Sequence, residues 1–227
     1  MKNDANQIIQ IQKTSDGSFT LLNTALGETY HSRNGAFTES QYVYIDKGLN
    51  GQTDFIQRNV LEVGFGTGMN AWLTAKWAED QKQLVRYYAL EVLPLPLALC
   101  PCPVQEPADV QLFERIHQSP WEQAVQCSPF FYLHKRNKSL QDFLNAADFQ
   151  PNVIFYDAFA PGYQPELWEP EIFHRVFKIL MPDGILVTYC AKGDVRRALK
   201  AAGFHVERLK GPPGKREMLR ARKPSDA

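Results

Sequence analysis

The stretch Asn59-Val60-Leu61-Glu62-Val63-Gly64-Phe65-Gly66-Thr67-Gly68-Met69-Asn70 decides the fold of this 227-residue chain. Residues 59–65 form an apolar run of strand length that ends among glycines, and residues 69–79 follow at helical length. Glycines at 64, 66 and 68 let the backbone turn sharply and approach a ligand closely, while the next helix offers free N–H groups at its start. The spacing is G-x-G-x-G, not the dinucleotide fingerprint G-x-G-x-x-G. A plain tight βα turn would use the same glycines. What points beyond it is the next strand, residues 84–92, which carries Ala89-Leu90-Glu91 at its end. Glu91 stands 23 residues past Gly68, where an acid at the edge of such a sheet commonly grips two ribose hydroxyls. An exposed strand-end acid without a role is the plainer alternative. Loop and acid together favour a nucleoside-bearing cofactor.

Downstream, strands are expected at 130–133, 152–157 and 185–189, with helices at 139–146, 166–180 and 194–202 and a short helix or turn at 93–99. Gly203 stops the last helix. Two closing strands, 204–209 and 217–221, flank Gly211-Pro-Pro-Gly214, too close together for a parallel crossover. The alternation predicts an α/β, Rossmann-like doubly wound sheet, mostly parallel with an antiparallel C-terminal edge strand. Upstream, Ile8, Ile9 and Ile11 lead through the turn Ser15-Asp16-Gly17-Ser18 into residues 19–22. Asn34-Gly35 marks another turn, and Tyr42-Val43-Tyr44-Ile45 reads as a short β-prone run. Residues 1–50 are therefore taken as a small β-hairpin lead-in and 51–227 as the main domain. Residues 101–128, rich in proline and polar side chains, show no clear periodicity.

Composition is that of an ordinary globular chain, 44% hydrophobic and 22% charged, with 25 basic against 25 acidic residues. The balance hides an asymmetry. Residues 171–227 hold 13 basic and 6 acidic side chains, a net of +7, which suits either a basic binding face or an ordinary solvated surface. Cys100, Cys102, Cys127 and Cys190 match neither a zinc knuckle nor a disulfide framework and read as reduced thiols. The five histidines are scattered, so no metal is expected. The N-terminus has no apolar signal region and no long apolar run occurs, so a cytoplasmic protein without a membrane partner is expected.

A second constellation is Tyr156-Asp157-Ala158-Phe159-Ala160-Pro161-Gly162-Tyr163. Asp157 ends a predicted strand, where ligands of open α/β sheets bind. Phe159, Pro161 and Tyr163 follow at once, able to wall a dry pocket for a planar base. Alternatively Asp157 caps the next element, and Phe159 and Trp168 are core residues.

The glycine loop resembles motif I of class I S-adenosylmethionine-dependent methyltransferases. By that resemblance Gly64, Gly66 and Gly68 line the cofactor, with Glu62 and Asn70 beside them and Glu91 on the ribose. Three further strings narrow it: Asp157-Ala-Phe-Ala-Pro161 with Pro165-Glu-Leu-Trp168, Thr188-Tyr-Cys-Ala-Lys-Gly193 with Val195-Arg-Arg197, and Gly211-Pro-Pro-Gly-Lys-Arg-Glu-Met-Leu219. With Thr29-Tyr-His-Ser32 and Gly35-Ala-Phe-Thr-Glu-Ser40, they resemble the tRNA wobble-uridine aminomethyl methyltransferases, MnmD and the methyltransferase half of bifunctional MnmC, over residues 15–223. The resemblance implies methylation of the exocyclic amine of 5-aminomethyl(-2-thio)uridine, with a tRNA anticodon loop as partner. It also implies a separate flavin-dependent oxidase acting earlier in the same pathway, and no flavin step is expected of a chain ending at Ala227. Lys192, Arg196, Arg197, Lys215 and Arg216 are the basic residues it places nearest the RNA, with Lys215 and Arg216 expected on phosphate. Two departures stand out. Lys138-Ser139 falls where relatives have Gly-Asp near the adenine, and Gln41 where they often have His.

Such a reaction needs a positioned, uncharged amine. A free alkyl amine has a pKa of roughly 10 and is mostly protonated near neutral pH. Burial beside Phe159 and Tyr163 would disfavour the ammonium, whereas an Asp157 carboxylate would favour it. Asp157 is expected to accept an amine N–H, aim the lone pair and stabilise the cation as it forms. A nicotinamide-dependent oxidoreductase is disfavoured by the glycine spacing. A methyltransferase for another amine and a non-catalytic RNA-binding protein of the same fold are the other readings.

Overall fold

The computed structural model describes residues 9–52, 55–146 and 149–225; Ile8, the first residue of the expected hairpin, lies outside them. A three-stranded antiparallel meander opens the described residues: β1 (Ile9–Lys13), β2 (Phe19–Asn23) and β3 (Glu28–Thr29). A main sheet of eight strands follows, comprising β4 (Arg58–Val63), β5 (Val85–Leu90), β6 (Ala124–Ser128), β7 (Phe131–Arg136), β8 (Val153–Tyr156), β9 (Ile185–Thr188), β10 (His205–Lys210) and β11 (Glu217–Arg222). Their order is β10-β11-β9-β8-β4-β5-β7-β6. The five central strands are parallel, β11 runs antiparallel between β9 and β10, and β6 runs antiparallel at the other edge. The expected C-terminal hairpin is present, but its antiparallel member is the inner strand and β10 is the edge.

Strand alternation divides the core into two apolar layers, one on each face. Val60, Tyr87, Phe155 and Val187 face α2 (Met69–Gln81) and α3 (Pro107–Gln118), while Leu61, Ile154, Tyr156 and Leu186 face α4 (Leu140–Asn145), α5 (Pro170–Ile179) and α6 (Gly193–Ala201). The illegible 101–128 segment is thus α3 and β6. The helix expected from residue 166 starts at Pro170 instead. Glu169 is extended, as a residue before proline prefers, and Pro170 sits in the first helical turn, where no donor is lost.

The main departure lies in residues 36–49. Instead of a β-prone run, α1 (Ala36–Ser40) continues into a π-helical stretch, Gln41–Leu49. Val43, Tyr44, Ile45 and Leu49 are buried in the first apolar layer. Gly48 lies so close to the sheet that a Cβ there would stand 3.0 Å from the Phe155 ring. Burial against strands distant in sequence overrides local β propensity. The Asn50 N–H closes the stretch onto the Ile45 carbonyl at 2.9 Å, the five-residue π spacing.

Asp16 ties the meander to this helix. Its Oδ1 accepts from the Thr14 and Ser18 hydroxyls at 2.6 Å each, and its Oδ2 from the Thr38 N–H and hydroxyl at 2.9 and 2.8 Å. Burial opposes ionisation, but the hydrogen bonds from Ser18, Thr14 and Thr38 hold this carboxyl well below the usual range. Its folded pKa is depressed, so the stabilisation is present above the unfolded value of about 4 and is lost as pH falls below it. Solvent screens part of the gain. Asp16→Ala is therefore expected to cost about 1–2 kcal/mol at pH 7 and less at pH 3. Thermal melts of both proteins across that range check it.

Candidate active site

The glycine loop sits where β4 has β5 on one side and β8 on the other, the switch point of the sheet. Gly64, Gly66 and Gly68 all adopt positive φ, 92°, 50° and 72°. Two of them also lack space for a side chain. A Cβ on Gly64 would lie 2.8 Å from the Asp157 carbonyl oxygen, and one on Gly68 would lie 2.8 Å from His117 Nε2. The Gly66 N–H donates to Glu91 Oε2 at 3.0 Å, and Glu91 Oε1 accepts the Leu93 N–H at 2.9 Å. Burial raises the Glu91 carboxyl above its ordinary value against these backbone hydrogen bonds. Gly64, Gly66 and Glu91 are therefore in one place, as are Glu62 and Asn70 just beneath.

Residues not singled out in the sequence roof the loop. The Tyr30 ring lies over Gly66, and His31 Nε2 is 2.6 Å from Thr67 Oγ1. His117 Nε2 donates to the Thr67 carbonyl at 3.0 Å. Burial lowers both imidazoles to about 4, so they are uncharged at neutral pH.

Asp157 follows β8, and its N–H extends the β4 pairing by donating to the Val63 carbonyl at 3.0 Å. Its Oδ1 accepts the Tyr44 hydroxyl at 2.6 Å, and its Oδ2 accepts Asn70 Nδ2 at 2.8 Å. Asn70 Nδ2 also donates to Glu62 Oε1 at 3.0 Å, so one amide holds two carboxyls. Burial pushes the Asp157 carboxyl up to about 7; Glu39 adds to the rise, while Tyr44, Asn70 and Lys215 oppose it. Glu62 is fully buried, and burial reinforced by the Asp157 charge drives it well above the carboxylate range. Two acids this close do not both ionise readily near pH 7, and the environment favours ionising Asp157 first.

The remaining sequence-selected residues separate by position. Phe159 is half-buried, its ring edge-on to Tyr30 at 5.0 Å and its carbonyl held by Trp168 Nε1 at 2.8 Å. Trp168 itself belongs to the second apolar layer. Pro161 is half-buried, and Tyr163 stands 41% exposed at the rim with its hydroxyl near Glu28. Lys192, Arg197 and Arg216 are exposed, Arg196 is half-exposed, and Arg197 pairs with Asp194. Lys215 differs from them. Its Nζ is 2.5 Å from Glu39 Oε1 and 3.9 Å from the centroid of the Tyr189 ring. The pairing directions put the 211–216 loop at the same end of the sheet as Asp157. Tyr30, His31 and Glu39 lie in strings quoted above, but nothing local in them signals a contact with residues 66, 67 or 215. Tyr44 carries no such signal either.

A family of S-adenosyl-L-methionine-dependent methyltransferases matches residues 136–224. The bifunctional tRNA 5-methylaminomethyl-2-thiouridine biosynthesis protein MnmC of Azoarcus sp. (strain BH72) is 30% identical over 89% of this chain and 34% of its own length. Its counterpart from Marinobacter nauticus is 29% identical over 88% of this chain and 34% of its length. A crystal structure of MNMC2 from Aquifex aeolicus superposes with a TM-score of 0.79 at 26% identity, over 96% of this chain and 71% of that one. The chain is similar to S-adenosyl-L-methionine-dependent methyltransferases. It spans about a third of the length of the curated relatives it matches.

The residues at this crevice fit S-adenosylmethionine. Positive-φ glycines leave a cradle at the start of α2 that side chains would fill, and Glu91 stands at its edge. Beneath the loop, Glu62 Oε2 and Asn70 Oδ1 are buried without a hydrogen-bond partner among the described residues. No group of three or more His, Cys, Asp or Glu residues able to hold a metal ion occurs among the described residues.

Gly64→Ala should press against the main chain at Asp157 rather than against a movable side chain. It is expected to weaken S-adenosylmethionine binding at least tenfold, about 1.4 kcal/mol, and to lower the melting temperature. Calorimetric titration and a thermal melt check both.

Proposed function

We propose that this protein transfers a methyl group from S-adenosylmethionine to the exocyclic amine of 5-aminomethyl(-2-thio)uridine at the wobble position of tRNA, giving the 5-methylaminomethyl form. The observation that carries it is Asp157, a carboxylate fixed on both oxygens at the strand end beside the glycine loop and the Phe159 ring. The names of the relatives supply the substrate class. A separate flavin-dependent oxidase would act earlier on the same nucleoside. No helix among the described residues is long and apolar enough to cross a membrane.

In this reading the methyltransferase domain is residues 51–227, with 1–50 as its extension. Gly64, Gly66 and Gly68 cradle the cofactor, Glu62 and Asn70 support it from below, and Glu91 accepts from its ribose. The bound cofactor supplies an electrophilic methyl group on a sulfonium. Phe159, with Pro161 and Tyr163 at the rim, receives the splayed base, and Lys192, Arg196, Arg197 and Arg216 hold anticodon-loop phosphates. Asp157 accepts an N–H of the amine, aims its lone pair and faces the positive charge that grows on nitrogen. The carboxylate of Asp157, near 7, is about three units too weak a base to strip an alkylammonium of pKa roughly 10. The amine therefore loses its proton to water before it is methylated.

Two ionisations then govern the rate. Log kcat/KM should rise with a slope approaching two below about pH 7, where Asp157 and the amine must both lose protons, and with a slope of one above it. Asp157→Asn should remove the steeper segment and cost roughly 10²–10⁴-fold. The assay is nucleoside mass spectrometry of tRNA bearing 5-aminomethyluridine after incubation with protein and S-adenosylmethionine. A single added methyl on that nucleoside is expected; an unchanged nucleoside would overturn the proposal.

A further inference from the structure

Lys215 was selected from the sequence as a phosphate ligand, yet its ammonium points inward. Glu39, 6% exposed, holds Nζ at 2.5 Å through Oε1, and its own Oε2 is fixed by the Ser32 N–H at 2.8 Å. The ammonium lies 3.9 Å from the centroid of the Tyr189 ring, a cation–π contact in a partly desolvated place. The Tyr189 hydroxyl donates to the Ala158 carbonyl at 2.9 Å, so the ring beneath the cation is pinned to the residue after Asp157. Three distant segments thus meet on one charge: α1, the end of β9 and the 211–216 loop.

We propose that Lys215 is a positioning residue for methyl transfer: Glu39 holds its ammonium over Tyr189, the ring pinned to the residue after Asp157, where it favours the ionised form of that carboxylate and disfavours a second cation, the protonated substrate amine. This rests on the amine-methylating reading above. A fixed cation stabilises a nearby anion and repels a second cation. At this site it bears on the conflict between a carboxylate, which attracts an alkylammonium, and a reaction that needs the free amine. The charged and titratable groups that face Asp157 are Tyr44 and Glu39 from the 36–49 helix, Glu62 from β4, Tyr87 from β5, Tyr189 after β9 and Lys215 itself. Lys215 is the cation among them. Glu39 has two opposed effects, raising the proton affinity of Asp157 by its own charge while anchoring the group that lowers it.

The sign follows for each variant. Lys215→Met removes the cation, so the break between the two slopes of log kcat/KM is expected to move up, with a roughly threefold loss at pH 7. Lys215→Arg should restore most of it. Glu39→Gln removes the opposing anion but keeps an amide oxygen able to accept from the Lys215 ammonium, so the break should move down. The Michaelis constant for tRNA and the salt dependence of tRNA binding should be unchanged in Lys215→Met, whereas loss of a phosphate ligand would raise the first and flatten the second by about one unit of slope. The carboxyl titration of Asp157, followed by NMR in protein labelled with ¹³C-aspartate, reads the same coupling without any substrate. It should shift up in Lys215→Met and down in Glu39→Gln. A titration that stays put in Lys215→Met, or an unmoved break with a flattened salt slope, would overturn the role for Lys215. Unmethylated tRNA with wild-type protein would overturn the proposed function instead, and the titration would still decide the coupling.

Discussion

The site depends on one close approach, between the backbone at Gly64 and the backbone at Asp157. Two parallel strands leave the sheet side by side, and their first residues outside it nearly touch, with space for no Cβ between them. The Asp157 N–H still pairs with Val63, while the Gly64 and Phe65 N–H groups both turn to the Leu90 carbonyl. The chain thus diverges from β4 toward β5 on one side while Asp157 stays on the other, opening the crevice at the switch point. Loop, carboxylate and ribose acid take their relative positions from that divergence.

Charge in the crevice is arranged by burial. Glu62 and Asp157 are two acids that resist ionising together, and the charge of Glu39 also bears on Asp157. Asn70 and Tyr44 direct their donors onto Asp157, Lys215 neutralises Glu39, and Glu62 is left in the least polar position. The result is a graded set, with one carboxyl biased toward its neutral form and one poised near neutrality. The neighbouring His31 and His117 stay uncharged and serve to hold Thr67.

Residues 9–50 are bound into this arrangement. Asp16 clamps the meander to the 36–49 helix, Tyr30 covers Gly66, and the helix supplies both Glu39 and Tyr44. The π-helical stretch carries Tyr44, and a wider helical turn at that point is the kind of irregularity that recurs at functional sites. Lys215 closes the circuit from the far end of the chain, so the crevice is walled by segments about 175 residues apart (Glu39 and Lys215).

By itself the sequence determined what depends on short-range pattern. The βα joint at residues 59–70, the strand-end positions of Glu91 and Asp157, and the terminal hairpin around Gly211–Gly214 were all legible, because a glycine's freedom and a strand's period act over a few residues. Residues 42–45 were misread because β-branched and aromatic side chains favour strands locally, whereas burial in the first apolar layer, with the Tyr44 ring against Phe155, overrides that preference. Residues 101–128 gave no clear signal because α3 is only 12 residues long with Phe113 and Ile116 as its buried residues, and proline-punctuated irregular chain precedes it. Tertiary structure alone decided that Lys215 faces inward to Glu39 while Arg216 beside it faces solvent. It also decided that Tyr44 reaches Asp157 across 113 positions of chain. A side chain's charge is written in its residue type, but what that charge does depends on which other charges the fold brings within a few ångströms of it.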